Sequence, residues 1–208
     1  MGTTVPRLWP GQMVACVAGG PSLLDSDLAA LQLEQIPTIA VNNAWQRVPW
    51  ADVLYAADRD WWQWQAEEGI TDEQLPPYLF GMDPLAVEYR PKLVCLKRGA
   101  NDGLCRSPDA LASGGHSGYQ AINLACHLID WHGTILLLGY DMQPGPNGQH
   151  HWHEDHPNER HVNYRARLPA YATLAAAAAR YPQLSIINAS RSTAITVFPR
   201  QFLTETVH

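Results

Sequence analysis

The run Val14-Ala15-Cys16-Val17-Ala18-Gly19-Gly20-Pro21-Ser22-Leu23 constrains the fold of this chain more than any other stretch. An apolar segment stops at two glycines, a proline and a serine, and helix-like spacing of leucines follows. That order reads as a buried strand, a tight turn and a helix start. In an α/β protein such a turn brings backbone close to an anion, and the helix N-terminus offers it unpaired N–H groups. Gly-Gly-Pro-Ser is also ordinary turn chemistry, so the stretch alone leaves both readings open.

The following residues extend the pattern. Met13 to Ala18 is the expected first strand. A helix is expected from Pro21 to about Glu34, with Ser22 as its cap and Leu23, Leu24, Leu28, Leu31 and Leu33 as its apolar face. Thr38 to Val41 is a second strand, which completes a β-α-β unit of roughly thirty residues. Val53 to Ala57 reads as a third strand, and the residues around Trp61 and Trp62 as a helix. Lys92 to Leu96, Thr134 to Leu138 and Leu184 to Asn188 read as further strands. Helices are expected after Gly118 and from Arg165 to Arg180. Residues 69–113 form an irregular insertion around the Lys92 strand, with 101–113 a loop, and 143–161 a histidine-rich loop. The expected fold class is α/β, Rossmann-like, with a mostly parallel sheet and helices on both faces, in one domain spanning 1–208.

Composition narrows the function classes. At 46% hydrophobic residues the chain can bury a core. Only 16% of residues are charged and the net charge is −6, which argues against a protein that holds nucleic acid by charge. The four cysteines, Cys16, Cys95, Cys105 and Cys126, form no CxxC pair. No apolar run approaches the length of a membrane span. A reducing, cytoplasmic setting is the expectation, and oligomerisation is left open.

In an open parallel sheet, ligands collect beyond the carboxyl ends of the strands. Reading those ends in order gives Gly19 and Gly20, Asn42 and Asn43, Asp58, Asp141, and Asn188 with Ser190. Gly115-His116-Ser117-Gly118 forms a second glycine-bounded helix start. Asp141 can orient a histidine, bind a ribose hydroxyl, hold a metal or cap a turn. The loop Gln149-His150-His151-Trp152-His153-Glu154-Asp155-His156 invites three readings: metal binding, a general base or substrate contact, or a solvated surface. Its spacing matches no helical His-Glu-x-x-His metal site. His127 and His132 are expected to be structural. The tryptophans at 61, 62 and 64 either pack a helix on the sheet or line a pocket.

Taken together, Ala18-Gly19-Gly20-Pro21-Ser22-Leu23, Val41-Asn42-Asn43, Ser117-Gly118 before a helix, and Leu138-Gly139-Tyr140-Asp141 with a histidine loop resemble a broad Rossmann-like group. That group contains the bacterial sialyltransferases that use CMP-sialic acid, the MptE-like 6-hydroxymethylpterin diphosphokinases and uncharacterised phage proteins. The phage proteins look most similar, in Gly-Tyr-Asp-Met and the His-Trp-His loop. The resemblance implies a nucleotide-binding turn at Gly19, Gly20, Pro21 and Ser22, nucleoside contacts from Asn42 or Asn43, and a nucleotide contact at Ser117 and Gly118. It places a histidine base among His151, His153 and His156. Two positions depart from the sialyltransferase pattern. Gly19-Gly20 stands where Asn-Gly is usual, and the arginine expected shortly before Ser117-Gly118 is missing, with Gly114 near its place.

The implied function is group transfer, foremost glycosyl transfer from a nucleotide-activated donor to an acceptor, with Asp141 and one loop histidine serving that acceptor. Within the same group the alternative is ATP-dependent diphosphate transfer, which needs Mg²⁺ and makes Asp58 and Asp141 ligand candidates. A protein that binds or sequesters a nucleotide without turnover is the third reading.

Overall fold

The computed structural model describes residues 4–153 and 163–203. Five strands come first in the chain: β1 (Met13–Val17), β2 (Thr38–Val41), β3 (Val53–Tyr55), β4 (Tyr78–Gly81) and β5 (Val94–Cys95). A separate two-stranded parallel ribbon pairs β6 (Lys97–Arg98) with β7 (Ala110–Leu111). Two more strands, β8 (Gly133–Leu138) and β9 (Leu184–Asn188), return to the first group. The main sheet has seven strands in the order β5-β4-β3-β2-β1-β8-β9, and every neighbouring pair is parallel. The chain is thus an α/β protein of the expected Rossmann-like class.

Period-two alternation explains the two cores. Val14 and Cys16 of β1, Ile39 of β2 and Ile135 and Leu137 of β8 face one side. There they pack against Tyr119, Ile122 and Leu124 of α3 (Ser117–Leu128) and Tyr171 and Leu174 of α4 (Tyr164–Ala178). Ala15, Val17, Ala40, Leu136 and Leu138 face the other side. Their partners include Leu28 and Leu31 of α1 (Asp25–Leu33) and Trp62 of α2 (Arg59–Glu67). Helices therefore cover both faces, as a parallel sheet requires.

Two expectations need correction. Helix α1 begins at Asp25 rather than Pro21, and its N-cap is Leu24, which has no side-chain cap bond. Ser22 does not cap it, because its hydroxyl and N–H are both drawn to Asp141 across the turn. The stretch 69–113 is less irregular than its Pro and Gly content suggests. It supplies β4 and β5 to one edge of the main sheet, and its 101–113 segment contains β7.

All four cysteines are free. Burial pushes the Cys16 thiol up to about 12, so it is an inert core group. Among the described residues no helix is long and apolar enough to cross a membrane.

Candidate functional site at the carboxyl edge of the sheet

Strand β2 lies on one side of β1 and β8 on the other, so the chain leaves the two central strands in opposite directions. Such a switch opens a crevice beyond their carboxyl ends. A cavity of about 530 Å³ occupies it. Gly19, Gly20, Asn42, Asn43 and Asp58 line this cavity, together with Ser117, Gly118, Asp141, His151 and His153. Residues scattered over 135 positions of sequence, 19 to 153, thus meet at one edge. Pro21 and Ser22 of the same turn are not among the lining residues, and His156 lies outside the described residues.

The glycine turn is zipped to the end of β8. Ala18 N–H donates to Leu138 O at 2.8 Å, and Gly20 N–H to Gly139 O at 2.9 Å. Asp141 then reaches back. Its carboxylate accepts from Ser22 N–H at 2.8 Å and from Ser22 Oγ at 2.7 Å. Gly20 has no room for a side chain, since a Cβ there would strike the Asp141 carboxylate and Gly139 O. Asp141 is buried, which raises its pKa, while the two bonds from Ser22 oppose the rise. These contacts make Asp141 the clamp of the turn.

The ends of β2 and β3 form the opposite wall. Asn42 adopts a left-handed backbone with φ of 49°, which an Asn accepts more readily than most residues. Asn43 Oδ1 accepts from Trp61 Nε1 at 2.8 Å, placing that indole on the cavity wall. Trp62 does the packing instead. It is fully buried and donates to Ala56 O at 3.0 Å. The tryptophan cluster therefore divides between the two roles the sequence allowed. Ser117 Oγ accepts from Ala57 N–H at 3.2 Å and ties the start of α3 to the residues after β3.

The histidine loop straps over the glycine turn. Trp152 N–H donates to Gly19 O at 3.1 Å, and its indole packs against the second core, 5.3 Å from the Arg47 guanidinium. The rings of His151 and His153 stack with centroids 4.9 Å apart and planes 1° from parallel. A Cβ on Gly19 would come within 3.0 Å of His151 Nδ1, so a glycine there lets the imidazoles lie over the turn. His127 and His132 are structural as expected, bonded through their rings to Cys105 O and Asp130 O.

Sequence reading missed part of the site. Tyr164, Arg167 and Tyr171 all line the cavity from α4. Their spacing of three and four puts them on one helical face, a signal available in the sequence but overshadowed by the alanines around it. His116, part of the glycine-bounded helix start that the sequence did single out, lines the cavity as well. It is the N-cap of α3, where its Nδ1 accepts from Tyr119 N–H at 3.4 Å. Burial, aided by the charge of Arg167, lowers the His116 pKa to about 3, so the ring is neutral.

Among the described residues no three His, Cys, Asp or Glu side chains come together as a metal site. Comparison of the chain with family models, with curated proteins and with solved structures returns no match.

Proposed function

We propose that this protein is a nucleotide-dependent group transferase that moves a glycosyl group from a nucleotide-activated donor to an acceptor hydroxyl. One observation carries the reading. A single cavity at the β1/β8 switch brings together a glycine turn, two asparagines, a helix start, a guanidinium and a pair of stacked imidazoles. The first four suit a phosphorylated nucleoside, and the last suits proton transfer. On this reading Trp61 and the asparagines hold the nucleoside end. His151 or His153 takes the proton of the acceptor hydroxyl as its oxygen bonds to the donor's anomeric carbon. The bond from that carbon to the phosphate oxygen breaks, and the nucleotide leaves with the electron pair. Positioning and stabilisation of the leaving charge supply the catalysis.

Asp141 takes a different part from the one its sequence position suggests. Both its oxygens are engaged by Ser22, so it fixes the turn rather than the acceptor. The same engagement weakens its claim to Mg²⁺ in the diphosphokinase reading, and that reading is not favoured.

The test is release of free nucleotide from a panel of CMP-, CDP- and UDP-linked sugars, in the wild type and in H151A and H153A. Transfer that falls at least about a hundredfold in one variant, with donor binding retained, supports the reading. Donor binding with no turnover in any panel member points to a binding protein instead. ATP consumption that requires Mg²⁺ points to diphosphate transfer.

A further inference from the structure

The glycine turn has few donors left to offer a phosphate. Ser22 N–H and Oγ are given to Asp141, Gly20 N–H to Gly139 O, and Leu23 N–H to Gly20 O. The buried Asp141 carboxylate also places negative charge against that turn. Across the cavity the situation is reversed. His116 Nε2 and the Tyr171 hydroxyl are both buried polar atoms with no hydrogen-bond partner. Unpartnered buried polar groups are rare, because each forfeits its hydration without return. Two of them on one wall of one cavity call for a ligand.

Both atoms are donors. His116 Nδ1 accepts the Tyr119 N–H, so the proton of the neutral ring sits on Nε2. Tyr171 is 1% exposed and burial raises its hydroxyl pKa well above 10, so it keeps its proton. The two rings lie 5.6 Å apart between centroids. The Arg167 charge acts on both of them, and among the described residues Arg167 has no carboxylate partner. The twelve-residue helix α3 starts beside them, with Ser117 and Gly118 on the cavity wall. Two neutral groups able to donate, a cation and a helix N-terminus, with no carboxylate among them, match a tetrahedral oxyanion.

We infer that His116, Tyr171 and Arg167, with the N-terminus of α3, form a phosphoryl-binding subsite, and that the phosphate of the ligand is held there rather than at the glycine turn. The inference rests on the cavity being a ligand site but does not need that ligand to be a nucleotide.

Inorganic phosphate is therefore the probe, titrated into the whole protein at constant ionic strength, with thermal denaturation and calorimetry as readouts. The wild type is expected to gain melting temperature saturably with phosphate, and not with chloride or acetate. Arg167→Gln should abolish the gain. Tyr171→Phe should weaken phosphate binding about tenfold or more, the loss expected for a hydrogen bond to a charged group. The ligand-free Tyr171→Phe protein should be no less stable than the wild type, because it sheds an unpaired hydroxyl. Equal phosphate responses in the wild type and Arg167→Gln would overturn the subsite, as would unchanged phosphate affinity in Tyr171→Phe. An acetate response matching that of phosphate would overturn the phosphoryl assignment. Phosphate binding without any response to nucleotides would leave the subsite standing and remove the nucleotide reading.

Discussion

At the scale of single residues, the site is organised by one carboxylate and one missing Cβ. Asp141 accepts both polar groups of Ser22, and Gly20 leaves the space that lets it do so. D141A strands the Ser22 donors and should cost about 1–3 kcal/mol in urea unfolding. D141N keeps the shape, with its oxygen accepting the Ser22 N–H and its amide donating to Ser22 Oγ, and should be close to neutral. The pH dependence separates them further. Burial raises the Asp141 pKa, so folding takes up a proton there. Its stabilising contribution is fullest below the unfolded carboxyl range, about pH 4, and is lost as pH rises through the folded value. The stability difference between wild type and D141N should therefore move against the wild type on going from acid to neutral pH. G20A should cost at least about 1–3 kcal/mol, because the backbone carbonyl of Gly139 and the Asp141 carboxylate, itself held by Ser22, both stand in the way of the new methyl.

At the scale of elements, the strap and the start of α3 each depend on an anchor outside regular structure. Trp152 pins the strap by one backbone bond and an indole seated on the core. W152A should cost about 2 kcal/mol and lower transfer more than donor binding, since it frees the stacked imidazoles. Urea unfolding and a separate donor titration check the two halves of that statement. His116 anchors α3 as its N-cap. With a folded pKa near 3 against an ordinary 6.5, the ring must stay neutral to fit. Its contribution is present above about pH 6.5 and is lost as pH falls toward 3. H116N, which keeps a capping acceptor, should flatten that part of the pH–stability curve.

Elements also show what the sequence could and could not convey. Strands β1, β2, β8 and β9 were legible because their apolar runs end at abrupt polar or glycine signals. Strand β4 was not, since Tyr78 to Gly81 is a four-residue piece behind two prolines that exists through pairing with β3. The true start of α1 was hidden as well. Ser22 has the chemistry of a cap, and only the distant Asp141, 119 residues away, diverts it.

For the whole molecule, parallel order around the β1/β8 switch turns separate motifs into one crevice. Gly19, Asn42 and Ser117 could be placed there from sequence because each follows a strand or opens a helix, whereas His151 was expected there only from the family resemblance. The shared helical face of Arg167 and Tyr171 was readable, but its place in the crevice was not, because that depends on how α4 packs across the sheet. Melting curves recorded with a millimolar panel of nucleotides and sugar nucleotides test most directly the proposal that this crevice binds a nucleotide. A ligand at a hundred times its Kd adds about 2.7 kcal/mol, which in a domain of this size raises Tm by several degrees. At least one nucleotide should do so, and Asn42→Gly, which keeps the left-handed backbone but removes the amide, should reduce the shift. A panel in which no nucleotide moves the melting temperature of the wild type would contradict the account.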